Sequence, residues 1–164
     1  MKKIFIFFTL FFSLITLAED QVTVFVSLSP AGSFTAVSKK VKGNLKRIGD
    51  NFTSDKISVT VESFKTGIDL RDEHFWKHLQ SSKASSSSKI TLTDLKAAVG
   101  KGMGILEVNG VKKPVTIAYT TKGNEVLVKF NVKASEFKLS KAEYLGVGVE
   151  DLVKVEATFG FKSN

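Results

Sequence analysis

Apolar and polar residues alternate one by one along most of this chain, and that pattern limits the fold more than any other feature. Successive strand side chains point to opposite faces, so period-two alternation marks strands with one buried face. The clearest case runs from Gly102 to Tyr119. Leu106 and Val108 alternate with Glu107 and Asn109, and Val115, Ile117 and Tyr119 alternate with Thr116 and Ala118. Between the two runs, Asn109-Gly110 can supply the positive φ angles of a tight hairpin turn. Pro114 has no N–H and belongs near the start of the returning strand. Similar alternation recurs at Val22 to Ser27, Ser33 to Ala36, Val41 to Leu45, Lys56 to Glu62, around Ile90 and Leu92, at Val126 to Lys133 and at Val153 to Phe159. The total is about eight or nine strands. Many one-sided strands in one domain form a sandwich or a closed antiparallel barrel.

Turns are expected at Gly49-Asp50-Asn51, Asn109-Gly110 and Gly123-Asn124. One short helix is expected within Asp69 to Leu79, with Asp69 as N-cap and Glu73 near the first turn. Ser140 to Leu145 is a candidate for another helical turn, and the serine run from Ser81 to Ser88 reads as a polar loop.

The first eighteen residues stand apart. Lys2 and Lys3 precede an apolar run from Ile4 to Leu17, which ends at a small-residue site, Thr16-Leu17-Ala18. This is the pattern of a bacterial secretory signal peptide cleaved after Ala18. The alternative is a retained anchor, but the run falls short of the roughly 20 residues that span a bilayer. Residues 19–164 then form a single domain, periplasmic or secreted.

Without Lys2 and Lys3 the balance is 22 basic to 16 acidic residues, a net charge of +6. The lysines are spread along the chain, with a cluster at Lys39, Lys40, Lys42, Lys46 and Arg47. No basic stripe with stacking aromatics or recognition helix marks a nucleic-acid binder. Attraction to an anionic membrane surface stays open. Cysteine is absent, which excludes disulfides, thiol catalysis and thiolate metal sites.

Four motifs in order resemble the YceI-like family. They are Pro30-Ala-Gly-Ser-Phe34 running into Val41-Lys-Gly43; Ser63-Phe-Lys-Thr-Gly67 leading to Leu70-Arg-Asp-Glu-His74; Leu106-Glu-Val-Asn-Gly110-Val-Lys-Lys-Pro114-Val115; and Tyr144-Leu-Gly-Val-Gly148-Val149. The resemblance implies a lipocalin-like, eight-stranded antiparallel barrel with one or two short helices, associated with polyisoprenoid lipids. The serine run departs from the family pattern beside the expected mouth, so the fold transfers more safely than the ligand. A barrel of eight strands either fills with its own side chains or holds one small ligand. Both readings stand at this point.

For the first reading, the lining is expected at Phe34, Ala36, Val59, Val61, Leu106, Val108, Val115, Ile117, Val128, Phe130, Val132, Val155 and Phe159. The mouth is expected at Arg71, His74, Phe75 and Trp76. Arg71 could pair with a carboxylate to pin the helix to the rim, or meet a ligand head group. His74 and His78 share a helix face, yet a zinc site would need a third ligand from Asp72 or Glu73. No metal or cofactor is expected. The elbow of serine hydrolases, a phosphate loop and a dinucleotide fingerprint are all missing. The chain therefore reads as a non-enzymatic, exported binder of a long apolar molecule. A filled barrel serving as an interaction protein at the cell envelope is the alternative, and a homodimer stays open.

Overall fold

The structure is a computed structural model and describes residues 19–80, 88–139, 142–144 and 147–161. The leader, most of the serine run, and residues 140, 141 and 145 of the second candidate helical turn lie outside the described residues. Within that stretch, Glu143–Tyr144 is strand, not helix.

Twelve strand segments make one antiparallel sheet. The first half of the chain supplies β1 (Gln21–Ser29), β2 (Ser33–Ser38), β3 (Val41–Gly43), β4 (Lys46–Ile48) and β5 (Asn51–Thr60). The helix α1 (Asp69–Leu79) follows, and then the meander of β6 (Lys89–Ala98), β7 (Lys101–Val108), β8 (Val111–Lys122) and β9 (Glu125–Lys133). The end of the chain forms β10 (Glu143–Tyr144), β11 (Val147–Val149) and β12 (Leu152–Gly160). From β5 to β9 each strand pairs with the next; β9 pairs with β12, β12 with β1, and β1 with β2. The sheet curls into a nearly closed barrel because β2 runs on into β3 and β4, which pair with β5 on the other side. Val37 and Lys65 seal the remaining edge by exchanging two backbone hydrogen bonds of 2.8 Å.

The segments outnumber the eight expected strands for local reasons. The strand after Gly32 is interrupted at Lys39-Lys40 and again at Asn44-Leu45, and two short segments, β10 and β11, add to the end of β1. Gly43 marks the tight bend. Its φ is +131°, and a Cβ there would meet the Lys56 carbonyl oxygen at 2.4 Å, a position open only to glycine.

The hairpin turn forms as the alternation requires. Asn109 and Gly110 have φ of 53° and 74°, the two left-handed residues of a tight turn between twisted strands. Asn109 is buried, and its amide donates to the Phe137 carbonyl at 3.3 Å, tying the hairpin to the helical turn Ala134–Phe137. In β6 a bulge between Thr93 and Lys96 shifts the register, so Leu92 and Leu95, three apart, both reach the interior.

The helix begins one residue earlier than expected. Asp69 is the first helical residue and Ile68 holds the cap position without a side-chain hydrogen bond. Asp69 still lies in the first turn, where the helix dipole favours an acidic side chain. Among the described residues no helix is long and apolar enough to cross a membrane.

Candidate functional site

The barrel interior is divided along its length. One end is packed solid. Phe52 meets Tyr119 and Phe161 edge-on, with ring centroids 5.3 Å and 5.5 Å apart. Ile117, Val126 and Ala97 complete this plug. The Tyr119 hydroxyl donates to the Asp50 carbonyl at 3.0 Å, and the Arg47 guanidinium lies 5.2 Å from the Phe161 ring centre.

Beyond the plug the barrel holds a cavity of about 840 Å³. Its strand wall includes Val22, Val24 and Val26 of β1, Val59 of β5, Leu106 and Val108 of β7, Val128, Phe130 and Val132 of β9, and Val153, Val155 and Phe159 of β12. Phe34 and the helix α1 cover one side. Among the described residues, only Arg71, His74, Lys77 and His78 from the helix and Glu143 from β10 bring titratable side chains to this wall.

Two faces of α1 do different work. Asp72 and Trp76, one turn apart, hold the helix to residues 64–66. The Asp72 carboxylate accepts from the Thr66 N–H and hydroxyl, both at 2.6 Å, and lies 3.2 Å from Lys65 Nζ. Burial opposes its charge, but these partners outweigh the burial and hold the carboxyl below its ordinary value. The Trp76 Nε1–H donates to the Phe64 carbonyl at 2.9 Å, and Lys65 Nζ sits 4.6 Å above the indole. Arg71, His74, Phe75 and His78 take the cavity side, at the spacing of one helix face. Phe75 meets Phe34 and Phe64 edge-on at 6.2 Å and 5.8 Å. Burial pulls the His78 imidazole below its ordinary value, favouring the neutral ring.

Most of the expected site residues come together here. Phe34, Val59, Leu106, Val108, Val128, Phe130, Val132, Val155 and Phe159 are on the cavity wall, and Arg71, His74 and Phe75 are at its helical side. Five are placed elsewhere. Val115 and Ile117 point inward but belong to the packed core, and Ile117 sits within the plug. Ala36 is fully covered in a small cluster with Val59 and Phe64. Val61 falls after β5 ends, in the turn Val61–Ser63, so alternation no longer sets its direction. Trp76 is on the anchoring face of α1. The carboxylate partner suggested for Arg71 is also absent among the described residues: Asp72 serves Thr66 and Lys65 instead. His74 and His78 share the cavity face without a third ligand, and no three metal-binding side chains converge among the described residues.

Sequence reasoning missed part of the wall. The alternation of Val22, Val24 and Val26 was visible, but nothing in it told that β1 borders the open half. Leu95 was hidden by the bulge, and Phe64 by its place in a loop.

Fold and interior together define an antiparallel barrel with an apolar cavity covered by one helix. The model of the YceI-like domain family matches residues 15–161, and the chain belongs to that family. Solved structures share the fold. BcnA of Burkholderia cenocepacia is 16% identical with a TM-score of 0.62, over 85% of this chain and 94% of that one. A polyisoprenoid binding domain from Saccharophagus degradans is 15% identical with a TM-score of 0.58, over 87% and 93%. The Campylobacter jejuni YCEI protein is 18% identical with a TM-score of 0.53, over 77% and 84%. No curated protein matches the sequence.

Proposed function

We propose that this protein is an exported carrier that holds a long apolar, isoprenoid-like molecule in its barrel and performs no reaction on it. The cavity carries the reading. Protein interiors pack at the density of organic crystals, and an empty apolar space weakens the fold in proportion to its volume. Water gains little there, because it needs several polar partners. A volume of about 840 Å³ is within the range of small-molecule sites, which run to roughly 1,000 Å³. Each methylene that leaves water for this wall contributes about 0.8 kcal/mol before ordering costs are subtracted. The shared fold with a domain described as polyisoprenoid binding supports the same class of occupant.

The test is mass spectrometry of the lipid extract from protein purified from its own cells. About one apolar molecule per chain is expected. Consistently empty protein that also takes up neither isoprenoids nor fatty chains overturns the reading. Export is tested separately: the intact mass of the cell-derived protein should correspond to a start at Glu19, and a chain still carrying residues 1–18 refutes cleavage.

A further inference from the structure

We propose that the apolar molecule carries an anionic head group, a carboxylate or a phosphate, and that Arg71 holds this head at the helical side of the cavity. The inference rests on the barrel being a binder of apolar chains. The first observation is charge. Among the described residues the cavity wall is hydrocarbon except beside α1, where half-buried Arg71 and His78 gather with exposed His74 and Lys77, and only Glu143, exposed on β10, opposes them.

The second observation is the state of Arg71. Arg71 is half-buried, and a guanidinium partly withdrawn from water ordinarily sits against a carboxylate, since desolvating a lone charge is costly. Its neighbour Asp72 is committed to Thr66 and Lys65, and no carboxylate lies within ion-pair distance of Arg71 among the described residues. The guanidinium is nonetheless fixed. Its Nη2 donates to the Thr66 carbonyl at 2.8 Å, and its Cζ lies 4.9 Å from the centre of the Phe34 ring. Nε is buried and has no hydrogen-bond partner. The result is a planar fork of donors, held in place, short of an acceptor, on the wall of an apolar cavity. Nε itself is enclosed by protein; a carboxylate or phosphate in the cavity supplies the missing counter-charge and an acceptor for the outer N–H groups of the guanidinium. A neutral hydroxyl head supplies at most the acceptor. A chain running from this head would pass directly onto Phe34 and Phe75.

The experiment compares dodecanoate, dodecyl phosphate and dodecanol, each below its aggregation limit, by calorimetry on the purified protein, on Arg71→Met and on Arg71→Lys. The unaltered protein should bind at least one of the two anions about tenfold or more tighter than the alcohol. The ratio between carboxylate and phosphate identifies the head. Arg71→Met should erase the preference for the anions over dodecanol, and Arg71→Lys should keep part of it. Equal binding of all three by the unaltered protein overturns the head-group inference and leaves the apolar-chain reading intact. That comparison decides the matter even where Arg71→Met fails to fold. Binding of none of the three, by protein shown to be folded and empty, overturns both.

Discussion

The Asp72 carboxylate and the Lys65 ammonium meet at 3.2 Å with one partner buried and the other in solvent. The pair is unequal in energy for that reason. Lys65 retains most of its hydration, whereas Asp72 depends on what the protein gives it, chiefly the two short hydrogen bonds from Thr66. The same arrangement decides what Arg71 does. With the adjacent carboxylate turned toward residues 65 and 66, the guanidinium is left to stack on Phe34 at the cavity.

Replacing each member of the pair should show this asymmetry. Asp72→Ala strands the Thr66 donors and should lower stability by roughly 2–3 kcal/mol. Lys65→Ala should cost less than about 1 kcal/mol, the range of exposed ion pairs. Urea denaturation of both variants checks the ordering, and equal losses contradict it.

Acid should act through the same carboxylate. The Asp72 carboxyl titrates below its ordinary value of 3.8 in the folded protein, so the unfolded chain takes the proton more readily. Its contribution is complete above the unfolded value and is lost as the pH falls through the lower folded one. The stability of Asp72→Asn should therefore fall less steeply over that range. An unchanged slope in chemical denaturation from pH 5 to pH 2 would falsify the assignment.

His78 sets a second, milder slope. Its ring is held below the ordinary value of 6.5 by burial at the cavity. The unfolded chain again binds the proton first, so stability should decline as pH drops below about 6.5 and level off under the folded value. NMR titration should find the His78 ring titrating below that of a free peptide, and His78→Gln should remove this part of the pH dependence.

Filling the open half should separate binding from folding. Val132 is half-exposed to the cavity, so a larger side chain has room to turn inward. Val132→Trp should abolish uptake of apolar chains while changing stability by less than about 2 kcal/mol. Retained uptake at full stoichiometry speaks against the cavity as the site.

The plug should behave in the opposite way. Phe52→Ala removes a ring packed between Tyr119 and Phe161, and should cost roughly 3–5 kcal/mol. Ligand stoichiometry should persist in the fraction that remains folded, measurable by native mass spectrometry.

The strands were legible because alternation is a local consequence of backbone geometry. The hairpin at Asn109-Gly110 was legible because few residues accept two positive φ angles. Depth along the barrel was not. Leu106 and Ile117 share the alternation of one hairpin, yet Leu106 borders the cavity and Ile117 is in the plug. The difference comes from Phe52 and Phe161, far away in sequence, which fill only one end. Which face of the helix Trp76 takes was not legible for a related reason. Its cavity face carries Arg71, His74 and His78, so polarity does not mark its outer side, and Trp76 turns away to reach the Phe64 carbonyl. The bulge at Asp94 defeated parity counting in the same manner.

The Phe52–Tyr119–Phe161 packing makes the barrel a cup with a floor, not a tube. For an occupant of the kind proposed above, the floor closes this end, so loading and unloading both take place away from Phe52. The floor also fixes how deep a chain can reach, and so how much of a longer one must stay outside.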